Sequence, residues 1–281
     1  MTNGASAYTI ERDIVFGRGG DMDLKLDVYR PSTGPDRRTA VIHLHGGGFR
    51  GGSKDGVARS AGPLAAHGYV CIGSQYRLGT QAKWPAQIED VKAAIRWTRA
   101  NAASLGIDPA RIVIAGYSAG GHLALHAAGT ANLPEFEGTG GNPGAGTELA
   151  ACFAYYPATR TSRNADGSPH ILMPVDATDL DYERASPITF AGSQFPPSVL
   201  FHTTGDVTIP FSTSMELFQR LHDAGVRVEL HILDGLSHAF DRHPEFAAAC
   251  AAMCDLFLDR HVVEPREYPA FGGPQPAAAA R

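Results

Sequence analysis

Ser118 stands in Gly116-Tyr117-Ser118-Ala119-Gly120, a G-x-S-x-G spacing that lets a sharp turn carry a serine hydroxyl at its apex. The β-branched run Ile112-Val113-Ile114 before it and the apolar pattern after Gly120 read as strand, turn and helix. Residues without bulk are needed beside the serine because strand and helix come into contact there. Such a serine is either a nucleophile or a cap on the following helix. A nucleophile needs a base to take its proton and a carboxylate to fix the tautomer of that base. His238 and Asp206 qualify by position, since each follows a strand-like run, over 227–233 and 199–204, as Ser118 follows 112–116. The carboxyl ends of parallel strands share one edge, so residues just past those ends converge. Asp234 and Asp241 compete for the acid role, but they flank His238 itself, whereas Asp206 ends a core strand.

A second chemical feature is His45-Gly46-Gly47-Gly48-Phe49, directly after the buried run 40–45. Glycines there leave backbone N–H groups bare and able to approach a bound atom. Attack on a carbonyl builds an oxyanion that needs fixed donors, and losing one costs about 3–4 kcal/mol. A phosphate loop is excluded by order, because Gly52-Ser53-Lys54 places Ser before Lys where G-x-x-x-x-G-K-[ST] is required. The dinucleotide pattern G-x-G-x-x-G fails because its third position here is Ser118.

The surrounding elements must bring these residues together. Strands are expected over 8–16, 24–29, 40–45, 69–76, 112–116, 149–156, 199–204 and 227–233, and helices over 55–67, 84–101, 211–224 and 244–260. Alternation in Leu24-Lys25-Leu26-Asp27-Val28-Tyr29 marks a half-exposed hairpin strand. Strands alternating with helices thereafter imply a mostly parallel sheet covered on both faces, eight strands in all. Within 84–101, Ile88, Val91, Ile95 and Trp97 are expected on the buried face, with Glu89, Lys92 and Arg96 in water. Residues 157–195 are irregular, with Ile171-Leu172-Met173 as an apolar island, and are expected to form a short lid or pocket wall. The domain is expected over 1–263, followed by a Pro/Ala-rich arm or disordered tail over 264–281.

Composition bounds the partners. The chain has 281 residues and a formal charge of −5, with no basic cluster, so neither nucleic acid nor an anionic membrane surface is indicated. No run resembles a leader or a membrane span, so a cytoplasmic protein is expected. Cys71, Cys152, Cys250 and Cys254 are expected to be buried free thiols rather than ligands. His43, His45 and His202 are expected to pack or hydrogen-bond inside strands.

The set Leu26-Asp27-Val28-Tyr29-Arg30-Pro31, His45-Gly46-Gly47-Gly48, Tyr76-Arg77-Leu78, Trp84-Pro85-Ala86-Gln87-Ile88-Glu89-Asp90-Val91, Gly116 to Gly121, Ala185-Ser186-Pro187 and His238-Ala239-Phe240 resembles the α/β-hydrolase carboxylesterases. It is similar to the hormone-sensitive-lipase-like esterases, and closer still to the bifunctional acetylxylan/feruloyl esterase-like group. Two positions depart from that group: Gln75 stands where Asp is usual, and Thr203-Thr204-Gly205 replaces a usual His-Gly-x-x-Asp lead into the acid. The resemblance implies an α/β-hydrolase fold; the hormone-sensitive-lipase-like esterases carry a sizeable N-terminal cap, but the first strand here is expected from Tyr8, so a minimal cap and an open site are expected. The resemblance also implies oxyanion donors at Gly47, Gly48 and Ala119, and hydrolysis of small carboxylic esters by Ser118, Asp206 and His238. Such chemistry needs neither metal nor cofactor. Phe49, Trp84, Tyr117, His122, Met173 and Phe240 are assigned as pocket walls from their closeness to the motifs. The alternatives are an amidase similar to the arylformamidases and a non-catalytic ligand-binding protein on the same fold. A homodimer is left open.

Overall fold

The computed structural model describes residues 7–268; most of the expected tail, 269–281, lies outside the described residues. Among the described residues eight strands form one sheet: β1 (Tyr8–Gly19), β2 (Met22–Pro31), β3 (Ala40–Leu44), β4 (Val70–Ser74), β5 (Ile112–Tyr117), β6 (Ala151–Tyr155), β7 (Ser198–Thr203) and β8 (Val228–Leu233). Their order is β1-β2-β4-β3-β5-β6-β7-β8. Strand β2 runs antiparallel to both neighbours, and every other pairing is parallel. The hairpin closes on Gly20-Asp21, a tighter turn than the gap between the expected strands 8–16 and 24–29. Gly20 at φ +60° supplies the backbone shape that a two-residue connection demands.

Strand β5 sits inside this order, between β3 and β6, and its side chains alternate between two cores. Ile112 and Ile114 join the core beneath helices Ala86–Ala100, Ala119–Gly129 and Ser212–Asp223. Val113, Ala115 and Tyr117 join the opposite core, beneath helices Ala58–Ala66 and Pro244–Leu258. Removing such an aliphatic side chain from water is worth about 1.5–3 kcal/mol, so β5 is held from both faces. Helix Ala119–Gly129 is buried on every side, which explains its composition of Gly, Ala, Leu and His. All four cysteines are buried. Among the described residues no helix is long and apolar enough to cross a membrane.

Several elements differ from expectation. Short helices Ala102–Leu105, Pro134–Glu137 and Asp179–Arg184 occupy stretches that read as loops. The last is started by a capping box in which Thr178 and Asp181 satisfy each other's backbone N–H groups. Lys92 and Arg96, expected in water, are buried. Glu137, reaching over from the loop side, meets Lys92 Nζ at 2.9 Å and Arg96 at 2.9 Å. Lys92 also donates to the carbonyl of Thr130, and Arg96 to the carbonyls of Glu137 and Gly141. Both cations therefore fasten the 130–148 segment to the helix, and Trp97 is the half-buried residue instead.

Removing one partner of a buried ion pair strands the other charge at a cost of about 3–5 kcal/mol. Lys92→Ala is expected to lower unfolding free energy by about 3 kcal/mol, since Arg96 still pairs Glu137. Urea titration checks this: the midpoint falls with an unchanged slope, whereas an unchanged midpoint would remove the bracing role.

Candidate active site

The turn after β5 holds Ser118 at φ +53°, ψ −114°, a region that non-glycine residues enter at a cost of about 1–3 kcal/mol. Close approach dictates the glycines around it. A Cβ on Gly116 would lie 2.0 Å from the carbonyl oxygen of Gly120, and one on Gly120 would lie 2.2 Å from that of Leu44. Ser118 N–H donates to Tyr155 O at 2.9 Å, and Ser118 O accepts from His122 N at 3.0 Å. The strained residue is thus tied to the next strand and to the first turn of the helix.

His238 Nε2 lies 2.9 Å from Ser118 Oγ, and His238 Nδ1 lies 2.6 Å from Asp206 Oδ2. The carboxylate accepts at Nδ1, so Nδ1 carries the proton and Nε2 is left to accept from the serine. Asp206 Oδ1 accepts from the backbone N–H groups of Thr208 and Ile209, both at 2.9 Å. Burial works against ionisation of Asp206, but the bonds from His238 and these N–H groups outweigh it and hold the carboxyl below its ordinary range. The two competing acids are engaged elsewhere. Asp234 accepts from Thr204 at 3.0 Å, and buried Asp241 accepts from Arg59 at 3.1 Å, from Ser60 at 3.3 Å and from Tyr156.

His202 proves to be more than a packing residue. Its Nε2 is 3.0 Å from Ile209 O and 3.3 Å from Asp206 Oδ2, and its Nδ1 is 2.8 Å from Ser214 Oγ. A carbonyl only accepts, so Nε2 is the protonated nitrogen. Burial lowers the pKa of His202, leaving a neutral imidazole against the carboxylate. The two threonines that depart from the family pattern bind the acid loop to the histidine loop. Thr203 donates to Leu236 O at 2.7 Å, and Thr204 accepts from Gly235 N at 2.8 Å.

Gly47 and Gly48 adopt φ +124° and +59°. Among the described residues their N–H groups and that of Ala119 meet no protein acceptor, and all three residues flank Ser118 or its cleft. The glycine loop is pinned from behind. Tyr76 donates to His45 O at 2.7 Å and stacks on the His45 ring at 4.3 Å. Lys54, in the sequence that imitates a phosphate loop, is turned inward onto Asp27 at 2.7 Å.

An open cleft of about 410 Å³ surrounds Ser118 and His238, with Tyr117, Tyr156, Arg59, Thr208 and Arg242 among its walls. Of the six expected wall residues only Tyr117 lines it. Trp84 and Met173 line a separate cavity of about 180 Å³ with Phe136 and Arg184. Phe49 and His122 are buried against each other at 5.6 Å, and Phe240 is buried against Tyr156. Residues 157–195 contribute to that second cavity and, among the described residues, not to the cleft. Tyr156, whose ring lies 4.6 Å from that of His238, was missed. The rule that selected Ser118, Asp206 and His238 finds it too, because it directly follows β6.

A family model described as BD-FAE matches residues 26–221. The chain belongs to the BD-FAE family. Esterase LipQ of Mycobacterium tuberculosis is 36% identical to this BD-FAE chain over 247 residues, which cover 82% of the chain and 57% of LipQ. The chain thus spans little more than half of that relative's length. A thermophilic esterase from the Planctomycetes species Thermogutta terrifontis, Est2, superposes with a TM-score of 0.78 at 28% identity, covering 93% of this chain and 95% of Est2. The same esterase phosphorylated by paraoxon gives 0.76 at 28% identity, covering 92% and 96%. The BD-FAE chain therefore has the α/β-hydrolase fold.

Because the folded pKa of Asp206 is depressed, its stabilisation is present above about pH 4 and is lost as pH falls through the folded value. Asp206→Asn is expected to be less stable than wild type at neutral pH, with the difference shrinking on acidification below about pH 4. Urea unfolding across that range checks it, and a pH-independent difference would refute the linkage.

Proposed function

We propose that this chain is a serine carboxylesterase acting on small carboxylic esters. The observation that carries the reading is the continuous relay from Ser118 Oγ through His238 to Asp206, at 2.9 and 2.6 Å, beside three unoccupied N–H donors. His238 removes the Ser118 proton as the oxygen attacks the ester carbonyl. The N–H groups of Gly47, Gly48 and Ala119 receive the oxyanion. His238, now protonated and steadied by Asp206, gives its proton to the leaving alcohol, and water repeats the sequence on the acyl-enzyme. Kinship with LipQ and Est2, both named as esterases, supports the same reading, as does the phosphorylation of Est2 by paraoxon, a reagent that suits an activated serine. The open cleft favours small acyl groups over long chains, because among the described residues its walls are mostly glycines and polar side chains rather than aliphatic ones.

Hydrolysis of p-nitrophenyl esters from acetate to laurate, beside a matched anilide, tests the proposal. Wild type is expected to prefer short acyl chains and to leave the anilide nearly untouched. Ser118→Ala is expected to lower kcat by about 10⁴–10⁶-fold while the protein stays folded. Undiminished turnover in that variant would sink the assignment, and faster turnover of the anilide would move the activity to amides.

A further inference from the structure

The ionic side chains that line the cleft at Ser118 carry one sign of charge. Among the described residues its walls include two arginines, Arg59 and Arg242, and no acidic residue, in a chain whose formal charge is −5. Arg59 is already committed: Nε donates to buried Asp241 at 3.1 Å and Nη1 to Gly56 O at 2.7 Å. Asp241 in turn accepts from Arg59, Ser60 and Tyr156, and its guanidinium partner is Arg59. Arg242 closes the short turn Phe240–Arg242 and is exposed. Its backbone N–H donates to Ala239 O at 3.1 Å, but among the described residues its guanidinium has no carboxylate at ion-pairing distance and no hydrogen-bond partner. A hydrated guanidinium on a cleft wall is a ready receptor, because its planar fork takes a carboxylate through two charge-assisted bonds.

The position of this wall says which half of an ester it meets. Arg242 lies four residues past His238. Tyr156 packs its ring on His238 at 4.6 Å and sends its hydroxyl to Asp241, the carboxylate that holds Arg59. Arg242, next to Asp241 in the chain, is thus connected to His238 through Tyr156, and the leaving alcohol must lie by His238 to receive its proton.

We propose that the cleft selects esters whose alcohol half carries a carboxylate, with Arg242 as the specificity-determining residue. This inference rests on the esterase reading above. The step itself is ordinary hydrolysis: the acyl carbon to alcohol oxygen bond breaks, water supplies the hydroxyl of the released acid, and its other proton goes to the alcohol.

The test compares kcat/KM for 4-acetoxybenzoate and for its uncharged methyl ester in wild type, Arg242→Gln and Arg242→Lys. The quantity read is the ratio of charged to uncharged substrate, which cancels the intrinsic reactivities between variants. Arg242→Gln is expected to lower that ratio about tenfold, the size of one charge-assisted bond, and Arg242→Lys to retain most of it. Raising salt to about 1 M, where screening acts within about 3 Å, is expected to lower the wild-type ratio and leave that of Arg242→Gln nearly constant. Equal ratios in wild type and Arg242→Gln overturn the proposal. Failure of the esterase reading shows differently, as inertness toward both esters. Calorimetric titration of Ser118→Ala with 4-acetoxybenzoate then decides: binding weakened by adding Arg242→Gln supports the anion site, and binding that is absent or unaffected overturns it.

Discussion

The close approach of β5 to the helix that follows it is the constraint from which the site is built. Two backbones meet there at distances that no side chain tolerates, as Gly116 and Gly120 show, and the residue between them is forced to φ +53°. The strain is local and of the order of 1–3 kcal/mol. It is held by a strand hydrogen-bonded on both sides, to β3 and β6, and by a helix buried all round. A serine in such a turn has its position set by the fold rather than by its own rotamer alone.

The sequence motifs outside the relay act as braces for this geometry. Arg77 grips Asp90 through two nitrogens, at 2.7 and 2.8 Å, and so ties the segment after β4 to helix Ala86–Ala100. Its neighbour Tyr76 reaches the carbonyl of His45, while Asp27 at the hairpin holds Lys54 beyond the last glycine of the loop. Gln75, standing where an aspartate is usual, receives Lys25 N–H at 3.1 Å and so closes the end of β2 without a charge. The glycine loop is bonded across itself, with Arg50 and Gly51 N–H donating to Gly47 O at 3.0 and 3.2 Å, and is fixed at both ends.

How much of this could be read from sequence follows from the range of each interaction. Ser118, Asp206 and His238 were legible because all three lie within a few residues after a strand end, and strand ends are marked locally by β-branched runs and breakers. The burial of Lys92 and Arg96 was not legible, because the carboxylate that compensates them, Glu137, lies more than forty residues away on a short helix without clear periodicity. The pocket walls were misplaced for a related reason. Closeness in sequence to a motif says nothing of which face a side chain takes, and Trp84 and Met173 turn toward Phe136 rather than toward Ser118. Arg59 carries no local mark at all; only its tertiary partner Asp241 explains its place.

The order of strands also divides the relay between unequal supports. Ser118 hangs from β5, deep inside the sheet, whereas Asp206 and His238 follow β7 and β8, and β8 is an edge strand whose residues are only half-buried. Openings of a protein occur in cooperative units, and edges open at lower free energy than centres. Detachment of the β7–β8 margin separates acid and base from the serine while the central strands persist. Such a margin is expected to open before the centre of the sheet does, and what resists it includes the grip of Thr203 and Thr204 on the loop that carries His238.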